Sequence, residues 1–135
     1  MEYPEDSLNA LLEKWEDSYK KGLLSFWMLF LLAERPTYAF EMNAHIVQLS
    51  QGTISADDNS LYRALGRFEQ VGLVAGELQP SPQGPARRYY TLTPKGRALL
   101  AQFIQRNLLL FQQPDLARQL QAFATEITET AEKKP

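Results

Sequence analysis

The sequence predicts a mainly α-helical fold that carries one small antiparallel β-hairpin. Three observations predict it. Apolar residues recur at helical spacing across most of residues 7–71. At Leu73 the pattern switches to two strand-like runs around a segment dense in Pro and Gly. From Pro94 onward the helical spacing returns.

Residues 7–20 place Leu8, Leu11, Leu12, Trp15 and Tyr19 on one helical stripe, with Ser7 as N-cap and Gly22 as stop. The next run, GLLSFWMLFLLAE (22–34), is apolar nearly all round and is expected to be a fully buried helix. Arg35-Pro36-Thr37 breaks it, because proline disfavours helical geometry at the residue before it. A third helix is expected from Tyr38 to about Leu49, with Phe40, Met42, Ile46, Val47 and Leu49 facing inward. SQGTIS (50–55) is turn-like. Asp57 or Asp58 caps a fourth helix running to Val71, whose buried stripe is Leu61, Leu65 and Phe68, and Gly72 closes it.

LVAGELQ (73–79) and RRYYTLT (87–93) read as strands on either side of PSPQGPA (80–86), a hairpin with a long polar tip. Thr93 then serves as N-cap and Pro94 as first residue of another helix, which carries Leu99, Leu100, Phe103, Ile104, Leu108 and Phe111. Pro114 interrupts or kinks that helix, and an apolar seam continues to the charged tail AEKKP. Three helices followed by a two-stranded hairpin is the winged helix-turn-helix arrangement. The expected organisation is an N-terminal helix in 1–21, the winged helix in 22–97, and a C-terminal helix and tail in 98–135.

Composition excludes several kinds of chemistry. The 135 residues make one domain's worth of chain, and an apolar fraction of 44% is ordinary for a globular protein. With no cysteine there are no disulfides, thiolate nucleophiles or cysteine-ligated metals, which fits a reducing cytoplasm. The single histidine, His45, supplies neither a metal site nor a catalytic triad. The acidic start MEYPEDS lacks the basic region of a signal peptide, and the apolar run Leu23–Ala33 is about half of the ~20 residues that cross a bilayer. No glycine-rich phosphate loop or nucleophile motif occurs, so an enzyme is not expected, no cofactor is implied and no membrane partner is expected.

The net charge of −2 hides a gradient. Residues 1–34 hold seven acids (Glu2, Glu5, Asp6, Glu13, Glu16, Asp17, Glu34) against three bases, whereas residues 63–97 hold six bases (Arg63, Arg67, Arg87, Arg88, Lys95, Arg97) against two acids. Such a block makes a local electrostatic footprint without a basic isoelectric point. Opposite the Leu61–Leu65–Phe68 stripe, the fourth helix presents Asn59, Ser60, Arg63, Arg67 and Gln70 as one polar row. These are the residue types a major-groove helix uses: Arg reaches guanine O6 and N7, Asn and Gln read adenine, and Ser holds a phosphate. Solubility alone also puts polar residues on a helix; here the preceding helix and turn and the following hairpin favour DNA. Asp57 and Asp58 suit the helix dipole but repel phosphate, and are read as structural caps. Arg87 and Arg88 face opposite sides of their strand, one of them able to reach phosphate or a minor groove, while Tyr89 and Tyr90 divide between surface and core.

LYRALGRFEQVGLV (61–74) followed by GPARRYYTLTPKGR (84–97) resembles the PadR family of bacterial transcriptional regulators, and GLLSFWMLFLLAERPTYAFEM (22–42) is similar to that family's opening. The resemblance implies a winged-helix repressor that binds double-stranded DNA at a pseudo-palindromic operator and dimerises through helices outside the wing. Carried over by position, Tyr62 and the polar row around Arg63 and Arg67 belong to the recognition helix, and Arg87 and Arg88 to the wing; with Tyr38, Asn59 and Ser60 they are the expected DNA contacts. The chain departs from the family pattern in places. Ala39 and Phe40 replace a usual Gly and Tyr, losing a hydroxyl that could touch phosphate. Asp58-Asn59-Ser60 replaces a Pro-Gly-Thr lead-in, and Arg63 follows Tyr62 where Pro is frequent. These changes bear on the operator rather than the fold. The extra N-terminal helix and short C-terminal region are also similar to the cyanobacterial, clock-associated period-extender branch.

Leu116, Leu120, Phe123 and Ile127 form a seam suited to a partner helix, and with Leu8, Leu12, Trp15 and Leu108 they are the expected surfaces of a two-fold homodimer. Some PadR relatives bind flat aromatic ligands at the dimer interface, so a small aromatic effector is a further expected partner; Trp15 and Trp27 are candidates for it only by type, Trp27 being expected in the core and Trp15 on a stripe that packs a partner. The rival to DNA recognition is a winged helix used as a protein-interaction module.

Overall fold

The computed structural model describes residues 7–132, with side chains described to residue 127. The acidic residues before Ser7 and the end of the charged tail, 133–135, lie outside the described residues. The chain divides into two compact units, residues 1–100 and 101–135.

The first unit begins with α1 (Leu8–Glu34), one continuous helix of 27 residues where two were expected. Gly22 lies inside it. A helical glycine costs about 1 kcal/mol relative to alanine, and neither a proline nor a left-handed residue stands beside it to turn that cost into a break. Ser7 caps the start by accepting the Ala10 N–H at 3.2 Å. The end comes at Arg35, as expected from Pro36. Only one side of the apolar run is interior: Met28, Leu29, Leu31 and Leu32 are buried, whereas Phe26, Trp27 and Phe30 are half-buried and form an edge-on and stacked aromatic row. The expectations of a fully buried helix and of Trp27 in the core are therefore corrected.

Next comes a two-residue strand, β1 (Thr37–Tyr38), which the sequence reading missed, and then α2 (Ala39–Leu49) and α3 (Asp58–Gln70). Met42 and Ile46 of α2 point inward as expected. Phe40 does not: it is 67% exposed, because at the second position of the helix it falls on the side away from Met42 and Ile46. The stripe on α3 holds: Leu61, Leu65 and Phe68 are buried, together with Ala64. At its end Gly72 adopts φ +82°, a left-handed conformation natural to glycine.

The hairpin pairs β2 (Val74–Ser81) with β3 (Gly84–Leu92), and β1 adds to the other edge of β3, giving an antiparallel sheet in the order β1-β3-β2. The long polar tip is absent; both strands extend through it and only Pro82 and Gln83 turn. Pairing runs in register from Val74↔Leu92 to Gln79↔Arg87 and resumes one residue out of step at Ser81↔Gly84. That bulge sets Pro85 and Ala86 opposite Pro80, so the residues that cannot donate a ladder bond sit where the ladder is already interrupted. The core of this unit is closed by Met28, Leu31, Met42, Ile46, Leu61 and Leu65, with Tyr90 and Leu92 from the sheet.

α4 (Pro94–Phe103) opens as expected: Thr93 Oγ1 accepts the Gly96 N–H at 3.0 Å and lies 2.6 Å from the Gly72 carbonyl, tying the helix to the turn after α3.

In the second unit the chain widens into one π-helical turn over Ile104–Leu108 and tightens into a 3-10 turn over Leu109–Gln112. The Asn107 side-chain amide donates to the Phe103 carbonyl at 3.1 Å within that irregular stretch. Gln113, held extended before Pro114, ends the run, and α5 (Pro114–Glu132) starts afresh, so Pro114 breaks the helix. No helix among the described residues is long and apolar enough to cross a membrane.

Candidate nucleic-acid interface

The placement of α3 begins in α2. Asn43 donates from its side-chain amide to Ser55 Oγ at 3.3 Å and accepts the Ala56 N–H at 2.8 Å, clamping the connecting turn to the helix before it. Ser50, buried, accepts the Ile54 N–H at 3.0 Å and lets Ile54 plug the core. Gln51 and Gly52 reverse the chain with positive φ. Asp57 then caps α3, accepting from the Ser60 backbone N–H at 2.8 Å and from the Ser60 hydroxyl at 2.9 Å. These bonds, with the charge of Arg63 adding to them, hold its carboxyl below the usual carboxylate range.

A carboxyl whose pKa falls on folding contributes stability above its unfolded value, and that contribution is lost as pH drops through the folded value. Asn caps helices as well but does not titrate. Asp57→Asn is therefore expected to keep the melting temperature near neutrality and to flatten its decline in acid, read from thermal melts across pH.

Held this way, α3 turns Asn59, Arg63, Arg67 and Gln70 to the outside, and Tyr62 is exposed beside them. Ser60 is half-buried and already engaged with Asp57. Among the described residues, Arg63 and Arg67 enter no salt bridge. They border a shallow depression with Gly66, Glu69 and Gln70.

The two wing arginines part company. Arg88 reaches back to α3 and pairs with Glu69 at 2.5 Å, and that carboxylate raises its pKa further. It crosses Gly76, where a Cβ would sit 2.6 Å from Arg88 Nε, and its guanidinium lies 5.7 Å from the Tyr90 ring centre. Arg87 lies on the opposite sheet face, 4.9 Å over the Tyr38 ring. Tyr38, Tyr89 and Phe40 form a tilted aromatic cluster there, and Tyr90 is buried, so the tyrosines divide as expected. The eight expected contacts thus fall into an α3 group, to which Arg88 is tied, and a Tyr38–Arg87 group on the outer sheet face.

Sequence and structure comparisons fit this geometry. The sequence model of the PadR-like family of transcriptional regulators matches residues 28–102, from the buried part of α1 through the wing into α4. This chain belongs to that family. Its members regulate transcription and are not enzymes. Among solved structures, the chain is similar to a transcriptional regulator from Clostridium thermocellum (23% identity, 70% of this chain and 92% of that one, TM-score 0.61). It is also similar to a PadR-like transcription factor from Bacteroides fragilis (27% identity, 88% and 96%, TM-score 0.53). PadR of Bacillus subtilis, solved with operator DNA, shares the fold at 18% identity over 61% of this chain and 47% of that one, TM-score 0.56.

Three residues that position this PadR-like surface escaped the sequence reading. Asn43 gave a signal only as a polar residue on a mostly apolar helix. Glu69 stood at the edge of the polar row without a visible partner. Gly96 was seen within a motif, but the reason for it lies in the packing: its missing Cβ leaves room for the Leu73 carbonyl. The expected dimer residues lie on exposed or half-exposed surface. Leu8 is 82% and Trp15 75% exposed on α1, with Leu12 also exposed. In the second unit Leu120, Phe123 and Ile127 are exposed, and Leu108 and Leu116 half-buried.

Proposed function

We propose that this chain is a sequence-specific, double-stranded DNA-binding regulator, acting in the cytoplasm as a homodimeric repressor at a pseudo-palindromic operator. α3 enters the major groove and the wing, about 79–88, lies on the backbone or in the minor groove. The observation that carries this reading is the uncovered row Asn59, Arg63, Arg67 and Gln70, on a helix whose other face is locked into the core. The operator complex of the B. subtilis relative lends it support.

Gly66 supports it too. It sits mid-helix on the outer side with nothing within 4 Å of where a Cβ would stand, so the fold itself gains nothing from glycine there. Close approach of another molecule does. Gly66→Ala is expected to stabilise the chain by about 1 kcal/mol in thermal melts and to weaken binding to duplex DNA in the same preparation.

The homodimer reading rests on the exposed apolar stripe Leu8–Leu12–Trp15 of the first unit and, in the second, on Leu120, Phe123 and Ile127 with the half-buried Leu108 and Leu116. In this reading the apolar stripes of 1–21 and 98–135 are the dimerisation surfaces, and 22–97 carries the recognition helix and the wing. A planar aromatic effector would meet Trp15 there, and quenching of tryptophan emission on titration would report it. The clock-associated branch gains no support from the relatives described, and the proposal does not extend to it.

Footprinting on a genome-selected fragment, beside sedimentation equilibrium, tests the proposal. Two protected half-sites about one helical turn (~34 Å) apart, with a dimer in solution, are expected. A monomer that protects nothing would leave the winged helix as a protein-interaction module.

A further inference from the structure

We propose that Lys20 and Lys21 of α1 form a second phosphate-binding edge beside α3, which holds the sugar–phosphate backbone flanking the major groove that α3 enters. The inference rests on the DNA-binding reading above and assigns it residues outside the family-shared stretch, which begins at residue 28. Its basis is a juxtaposition across α1 and α3. Lys21 and Ser25 of α1 and Ser60, Arg63 and Arg67 of α3 line one cleft of about 310 Å³. Next to it, Asp17, Lys20 and Lys21 face the turn leading into α3 across a second cleft of about 430 Å³. The two arginines of the outward row therefore share a cleft with Lys21, and Lys20 lines the adjoining one.

Electrostatics favour an anion along this border. Among the described residues, Lys20, Lys21, Arg63 and Arg67 enter no salt bridge. The acids lining the two clefts are Asp17 and Asp57, and Asp57 already spends its oxygens on Ser60. Four cations against two acids leave a net positive edge between α1 and α3. Lysine is a point charge on a flexible stem; it suits a phosphate and carries no fork for reading a base edge. The duplex backbone is the occupant that fits, because α3 in a major groove brings a phosphate strand along each of its sides.

The test is fluorescence anisotropy of a genome-selected duplex titrated across sodium chloride concentrations, comparing the full chain with Lys20→Ala/Lys21→Ala and with Lys14→Ala, a lysine of α1 that lines neither cleft. Each phosphate contact contributes about 0.9 to the slope of log K against log salt. The double variant is expected to lose roughly 1–2 from that slope and to bind all duplexes more weakly without changing their order of preference. Lys14→Ala is expected to match the unmodified chain, and Lys20→Arg/Lys21→Arg to restore the slope. Melting curves confirm that the variants fold. An unchanged slope in the double variant, while the unmodified chain still selects its duplex, overturns the proposal. A changed order of preference overturns it as well, since that marks base reading. Failure of the unmodified chain to select any duplex removes the DNA-binding reading itself, a distinct result.

Discussion

Arg67→Ala is expected to weaken binding to the preferred duplex by about 1–3 kcal/mol, at least tenfold at the middle of that range, while the melting temperature stays close to that of the unmodified chain. Stability is spared because Arg67 is exposed and enters no salt bridge among the described residues. Its worth lies in what the free guanidinium meets outside the protein. Arg63→Ala is expected to act alike on binding, and in addition to relieve part of the charge effect on Asp57. Anisotropy on the preferred duplex and on scrambled duplexes separates two roles. Loss confined to the preferred duplex marks a base contact, and equal loss on all marks a phosphate contact. Arg88 is expected to behave differently: pairing with Glu69 holds it against α3, so Arg88→Ala removes a link between wing and helix along with a cation. Its alanine variant is expected to lower affinity broadly and to flatten the salt slope.

The largest effect on the fold is expected at Gly96→Ala. An alanine Cβ there would lie 2.1 Å from the Leu73 carbonyl oxygen and 2.6 Å from Leu92 Cδ1. The carbonyl cannot easily yield, because it accepts the Thr93 N–H at 3.1 Å and lies 3.0 Å from the Thr93 hydroxyl. Relief must come from moving α4 off the sheet, which breaks the Thr93 cap. Overpacking of this kind costs about 1–3 kcal/mol, and with a lost helix cap of ~1 kcal/mol the total reaches roughly 3 kcal/mol. For a chain of this size that is on the order of 10 °C in melting temperature. Gly22→Ala is the matched control: nothing lies within 4 Å of its Cβ position, and it is expected to stabilise α1 by up to about 1 kcal/mol.

These two positions show where sequence stops being legible. The α3 stripe, its cap at one of Asp57 and Asp58, Gly72, the strand pair and the Thr93–Pro94 start could all be read, because each rests on spacing or chemistry within a few residues. What failed depends on neighbours distant in sequence. Gly22 looks like a stop, but the following turns of α1 are held by packing on α2 and β3, and that outweighs one glycine. β1 is two residues long and exists only because Thr37 and Tyr38 meet Tyr90 and Tyr89 across fifty residues of chain. The hairpin tip is rich in Pro and Gly, yet the bulge at Pro80 absorbs the prolines and lets the strands continue. Phe40 has the hydropathy of a core residue and the position of a surface one. In the site, the residue types of the outward row were legible, whereas the Arg88–Glu69 pair and the Asn43 clamp were not, since a partner across the fold leaves no periodic trace.

The most direct test of the central claim is selection of bound fragments from the source genome, followed by anisotropy titration of the best fragment across salt concentrations. Nanomolar, salt-dependent binding to a pseudo-palindrome, lost in Arg67→Ala, is the predicted result. No preferred fragment, with binding equally weak on every duplex and unaffected by Arg67→Ala, would contradict it.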